Sequence, residues 1–180
     1  MSIIAFKIFE DKIQVAADGR VMSDDEIITD NGVKIHKLSE SLIIGQTGLH
    51  DTNPIYKKFV EVNQRVFEEL DNTTDGLALM KRFREYLENY GYKEEALKNG
   101  LGGFLIANKK IVCMFRFDTY LSPFTSVCSE DGNTIGATGS TKIYTSALID
   151  VGYSLEDAIK ISAKKYTSIN DNVTILEIKR

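Results

Sequence analysis

The chain has 180 residues, enough for one domain with a sizeable core and too few for two. Hydrophobic residues make up 43% and charged residues 27%, the balance of an ordinary globular protein. A net charge of −4 with no long basic run gives no basis for nucleic-acid binding, and no apolar run approaches the roughly 20 residues of a membrane-crossing helix.

Ile3 to Phe9 alternates loosely and is rich in Ile and Phe, which predicts a strand. Glu10-Asp11 is the expected turn, and Lys12 to Ala17 the returning partner. Asp18-Gly19 ends that strand with ordinary turn chemistry. Val21 to Asn31 is acidic and rich in turn residues, and is expected to be a solvated surface loop. Val33 to Leu38 and Leu42 to Ile44 then read as a second pair of strands.

Asn53-Pro54 predicts a helix start, with Asn as cap and Pro in the first turn. Its expected apolar stripe is Ile55, Phe59, Val62 and Val66, widened by Tyr56, Val60, Phe67 and Leu70, with a break at Asp71-Asn72-Thr73. A second helix is expected from Asp75 to Tyr90, facing the core through Leu77, Met80, Phe83, Leu87 and Tyr90 and stopping at Gly91. These aromatic and Met stripes read as core, not as a cofactor box.

Phe104 to Ala107 and Lys110 to Phe117, joined at Asn108-Lys109, form a hairpin whose near-continuous apolar runs imply cover on both faces. A less regular connection follows, with a short strand at Thr125 to Cys128. Gly139 to Val151 predicts a helix with Ile143, Ala147, Leu148 and Val151 on its buried face. Gly152 ends it, and Ser154 with Asp157 three residues on resembles a capping box for the next helix. Val173 to Ile178 closes the chain as a strand. The order of elements gives an α+β protein of one domain, residues 1–180, with helices outside two packed sheets. Two prolines and no Gly/Ser-rich stretch argue against an internal linker. Cys113 and Cys128 could pair, but with no signal peptide legible a cytoplasmic setting and buried free thiols are expected.

One constellation goes beyond architecture. If Met1 is clipped, Ser2 offers a hydroxyl nucleophile and a free α-amine whose unperturbed pKa, about 7.7–8.0, suits a general base. Asp18, in Ala16-Ala17-Asp18-Gly19-Arg20, stands sixteen residues later, and Lys34 sixteen beyond that. Gly45-Gln46-Thr47-Gly48 and Gly139-Ser140 complete the set. These residues and intervals resemble the proteasome β-subunit and HslV-like family of N-terminal nucleophile hydrolases. The likeness is specific over Ser2 to Gly48 and moderate over Ile135 to Asp150.

The resemblance implies a four-layer αββα sandwich and a peptidase acting through an acyl ester on Ser2. In that scheme Lys34 supplies fixed positive charge, Asp18 holds Lys34 in place, and the Gly48 N–H faces the oxyanion, worth about 3 kcal/mol in well-studied hydrolases. Ser140 supports the amine. By position Val21, Gly32, His36 and Gln46 would line the pocket for the substrate side chain, although His36 reads equally as an ordinary strand histidine. No cofactor or metal is implied. The family likeness further implies a homo-oligomer of stacked hexameric or heptameric rings, peptide or unfolded-protein substrates, and an ATP-dependent unfoldase as a possible partner.

Two departures stand out. Serine replaces the family's commoner threonine, and the missing methyl leaves the Ser2 rotamer less restricted. The family's proteasome members also carry an Asp near the end of the last helix with a Ser three residues on, where this chain reads Tyr166-Thr167-Ser168-Ile169. Two other readings stay open: a non-peptide amide hydrolase, and a catalytically silent assembly protein in which retained Met1 acylates the Ser2 amine.

Overall fold

The computed structural model describes residues 2–23, 26–48, 50–92, 101–118, 120–129 and 134–180. Its first strand, β1 (Ile3–Ile8), has apolar residues at nearly every position because both of its faces are covered. Ile4, Phe6 and Ile8 enter one apolar cluster, while Ile3 and Ala5 enter another on the opposite face. β1 pairs antiparallel with β2 (Lys12–Asp18) on one side and with β10 (Ile135–Gly139) on the other. β11 (Val173–Lys179) adds to β2, giving a four-stranded sheet of order β10-β1-β2-β11.

The second sheet runs β5 (Ile35–Ser39), β6 (Leu42–Gly48), β7 (Leu101–Asn108), β8 (Val112–Phe117), β9 (Pro123–Ser129), each pairing antiparallel with the next. Ile35, Ile43, Leu105, Ala107, Val112 and Met114 meet Ile4, Phe6 and Val15 between the sheets. The alternate residues of the same strands, among them Ile44, Phe104, Ile106 and Phe115, pack outward against helices. The continuous apolar runs of β7 and β8 are thereby explained.

The helices over that outer face are α1 (Asn53–Val62), α2 (Gln64–Glu69) and α3 (Thr73–Asn89). Phe83 lies at its centre, with ring centroids 5.0 Å from Tyr56 and 5.3 Å from both Phe59 and Phe104. Over the other sheet, α4 (Lys142–Asp150) and α5 (Leu155–Lys165) cover Ile3, Ala5 and Ala16 with Ile149, Leu155, Ala158 and Ile159. The four layers expected from the family resemblance, α-β-β-α, are present.

Several local expectations need correction. The helix expected from Asn53 to Leu70 breaks at Asn63, whose Nδ2 donates to the Phe59 carbonyl at 2.8 Å. The break shifts the phase, so Tyr56, Phe59, Val60 and Phe67 are buried while Val62 and Val66 are exposed. Tyr90 is exposed as well. Asn53 does not cap α1; its Nδ2 donates to the Val33 carbonyl. The acidic loop contains a small hairpin, β3 (Val21–Ser23) with β4 (Glu26–Thr29). Residues before Lys142 form β10 instead of opening a helix.

Of the face expected to be buried on the Gly139–Val151 helix, only Leu148 packs against the core. Ile143 is 81% exposed and Val151 74%. Facing α5 instead are hydroxyls: Thr141 Oγ1 lies 3.1 Å from Thr145 Oγ1, which lies 2.9 Å from Ser162 Oγ, which donates to the Ala158 carbonyl. Small polar residues that satisfy one another fill the space, and apolar periodicity does not register them. Ser154, by contrast, caps α5 as expected, its Oγ accepting from the Asp157 N–H at 3.0 Å. Cys113 sits opposite Cys128 in the β8–β9 register and is disulfide-bonded, not the free thiol expected. Among the described residues no helix is long and apolar enough to cross a membrane.

Phe83→Ala should cost about 3–5 kcal/mol, the range for aromatic truncation in a closed core. Urea unfolding would read this as a lower midpoint at similar slope. A loss below about 1 kcal/mol would mean that the helix layer collapses readily around the cavity.

Candidate active site

Ser2 precedes β1 and is almost fully buried. Its backbone is held from both neighbouring strands. On one side the Ser140 N–H donates to the Ser2 carbonyl at 2.9 Å, with Ser140 Oγ at 3.4 Å from the same oxygen. On the other side the Ile3 N–H donates to Asp18 Oδ1 at 2.8 Å. Close approach by β10 requires Gly139: its φ is +122°, and a Cβ there would lie 2.0 Å from the Ser2 carbonyl oxygen.

Asp18 terminates β2 and is buried. Oδ1 also accepts from Lys34 Nζ at 2.7 Å, and Oδ2 from the Arg20 N–H at 2.9 Å. The carboxylate therefore receives three donors, which compensates much of its lost hydration. Lys34 immediately precedes β5 and donates a second hydrogen bond to the Arg20 carbonyl. An ammonium has three donors, and the third has no partner among the described residues. Burial pushes the Lys34 pKa below its ordinary value; the charge of Asp18 and the hydrogen bond to it oppose that shift, and Arg20 adds to it.

The loop carrying Asp18 is clamped by residues that sequence reasoning missed. Arg20 forms a two-pronged pair with Asp30, at 2.7 and 3.1 Å, and reaches the Thr167 carbonyl. Asn170 Oδ1 accepts from the Gly19 N–H while its Nδ2 donates to the Asp30 carbonyl. Ser168 Oγ lies 3.1 Å from Ser140 Oγ, so this stretch supplies a hydroxyl to the site despite departing from the family pattern. The one signal for these contacts was the cluster Ser168-Ile169-Asn170-Asp171-Asn172, rich in side chains that bind backbone.

The remaining sequence candidates are dispersed. Gly48 ends β6 beyond an irregularity in its pairing with β7, with φ +101°. Val21 and Gly32 are in contact: a Cβ on Gly32 would lie 2.3 Å from Val21 Cγ2. Gln46 and His36 point to the helix layer instead. Gln46 Nε2 donates to Thr52 Oγ1 ahead of α1. His36 is half-buried, and its pKa is lowered chiefly by burial and then by the charge of Lys57, partly offset by a hydrogen bond with Asn53. Among the described residues no group of three or more His, Cys, Asp or Glu could hold a metal.

Lys34 gives a pH test whose sign follows from its shift. Its folded pKa is depressed, so between that value and about 10.5 the unfolded chain binds the extra proton. The penalty for burying the charge is complete below the folded pKa and is relieved as pH rises through this window. Wild type should thus gain stability relative to Lys34→Met as pH rises through the alkaline range toward 10.5, read as urea midpoints at several pH values. A pH-independent difference would mean that Lys34 stays charged throughout.

No family model matches the sequence, and no curated protein matches it. Among solved structures, eukaryotic HslV from Trypanosoma brucei aligns with a TM-score of 0.68 at 14% identity, covering 99% of each chain. The chain has the HslV-like, proteasome β-type fold.

Proposed function

We propose that the chain is an N-terminal-serine peptidase of the HslV type, acting as a single domain on peptides or unfolded segments. Removal of Met1 would free the Ser2 amine, which takes the hydroxyl proton as Oγ attacks the peptide carbonyl. The leaving amine receives that proton, and water then hydrolyses the ester on Ser2. The observation that most supports this reading is a shared atom. Asp18 Oδ1 accepts from both the Lys34 ammonium and the amide that follows Ser2, tying a buried positive charge to the nucleophile's own backbone. Lys34 keeps one proton for the Ser2 hydroxyl region and favours the neutral amine and the anionic transition state nearby.

Gly48 is assigned as oxyanion donor, and Ser140, backed by Ser168, as the group that fixes the amine. Val21 and Gly32 would line the pocket for the substrate side chain, whereas Gln46 and His36, which point to the helix layer, are left out of it. A ring-shaped homo-oligomer is proposed too, supported by apolar side chains left in solvent, Val62 and Val66 on one helix layer and Ile143 and Val151 on the other. An ATP-dependent unfoldase fits as the supplier of unfolded substrate. Cytoplasmic residence belongs to the same proposal. The bonded Cys113 counts against it, and alkylation of thiols before lysis would decide.

Ser2→Ala should abolish peptide hydrolysis while leaving the thermal melt nearly unchanged, because the side chain contributes little apolar area. Lys34→Ala should lose nearly as much, and the double variant no more than either single one, since the residues act as a unit. Undiminished turnover by Ser2→Ala would end the mechanism. An intact mass that still includes Met1 would transfer the chain to the silent assembly-protein reading.

A further inference from the structure

A cavity of about 390 Å³ lies along β10, the strand that flanks β1 on the side away from β2. Its walls include Arg116 from β8, Thr138 from β10, and Lys142 and Ser146 from α4. Two cations from different elements converge there, in a chain of net charge −4. Among the described residues neither has a hydrogen-bonding or ionic partner, and none of the described lining residues is a carboxylate.

The chain geometry adds to this charge. The cap residue of α4, Thr141, donates or accepts no side-chain capping bond, and the first turn holds no acidic residue. The positive end of the helix is therefore uncompensated by carboxylates. Ser146 lies one turn beyond Lys142 on the same face. Thr138 lines the cavity too, but its hydroxyl is sealed against Gly103 and has no hydrogen-bond partner among the described residues. Thr138 is also the register partner of Ile4, two residues from Ser2, which is about 7 Å along a strand.

We infer that this cavity binds a carboxylate of a peptide substrate, on the leaving-amine side of the scissile bond. The inference rests on the peptidase reading for the word substrate, but the chemistry of the cavity does not. β1 has β2 on one side and β10 on the other. The proposed side-chain pocket, with Val21 and Gly32, belongs to the β2 flank together with Asp18. A peptide lying across Ser2 with its acyl part there must direct its leaving part over β10. Arg116 presents a planar fork suited to a carboxylate, and Lys142 adds a mobile point charge. An Asp or Glu side chain, or a free C-terminus, supplies the matching group.

The test uses full-length protein with Ser2→Ala, so that bound peptide persists, and two C-terminally amidated, N-terminally fluorescein-labelled hexapeptides that differ only by Glu or Gln at the third position from the carboxyl end. Fluorescence anisotropy should show the Glu peptide binding about tenfold more tightly, the size of one charge-assisted contact. Arg116→Gln with Lys142→Gln, checked by its far-UV spectrum and melt, should erase the difference. Equal binding of both peptides, or a Glu preference that survives the double substitution, overturns the proposal. Inorganic phosphate that displaced the Glu peptide at concentrations below the peptide's own Kd would overturn the carboxylate assignment in favour of a phosphate site. With Ser2 intact, kcat/KM should favour Glu over Gln beyond the cleaved bond by a similar factor. If no peptide is cleaved but the Glu preference in binding holds, the carboxylate site stands and the peptidase reading fails. Cleavage without any acid preference does the reverse.

Discussion

A lysine and an aspartate with side chains 3% and 0% exposed, 2.7 Å apart, dominate the energetics around Ser2. Taking both charges out of water costs several kcal/mol each, and the pair repays this only with every remaining donor and acceptor occupied. Most of the surrounding loop structure serves that requirement. The Arg20 amide and carbonyl bind opposite members of the pair. Arg20 itself is locked by Asp30, and Asp30 by Asn170 and Asn172 through its carbonyl. A buried pair of this kind is weak evidence for stability. Well-packed apolar residues would serve a scaffold as well, so stability alone is a poor reason for this pair beside Ser2.

The fold supplies the rigidity that the pair needs. β1 lies between two strands and between two apolar layers, so residues 2 and 3 start a strand with no freedom to shift register. Ile3 is packed under α4 and α5 and Ile4 between the sheets. A slip by one residue would exchange those faces, while also breaking the contacts from Ser140 and Asp18. Ser2 thus inherits its position from the core without contributing a large side chain to it.

Legibility in the sequence followed the kind of signal each element carried. Strands β1, β2, β7 and β8 were plain because apolar residues crowd both faces, and the Ser154 cap because its chemistry is local. The α4 face was misread because its buried side is Thr141 and Thr145, whose hydroxyls bond to each other and to Ser162. The phase of α1 and α2 was misread because one Asn side chain redirects the helix at Asn63. At the site, the intervals among Ser2, Asp18 and Lys34 identified residues that the fold does bring together, through Asp18 in the middle. The partners of Ser168 and Asn170 were not legible, since they lie 28 and 151 positions away and a cluster of backbone-binding side chains does not say what it binds.

The asymmetry about Ser2 is the remaining structural fact with chemical meaning. On the β2 flank, positive charge is paired with the protein's own carboxylates: buried Lys34 with Asp18, and half-buried Arg20 with Asp30. On the β10 flank, Arg116 and Lys142 border a cavity with no such partners among the described residues. Charge that is engaged orients the protein's own groups, whereas charge left facing a cavity is available to something that enters. A hydrolase acting at Ser2 needs both kinds, because the acyl part must be held still through two steps while the leaving part departs after the first. Water reaches the ester only once that part has gone. Half-buried charges hold a carboxylate by contacts that solvent partly screens and competes with, and such contacts suit the part of a substrate that must be released.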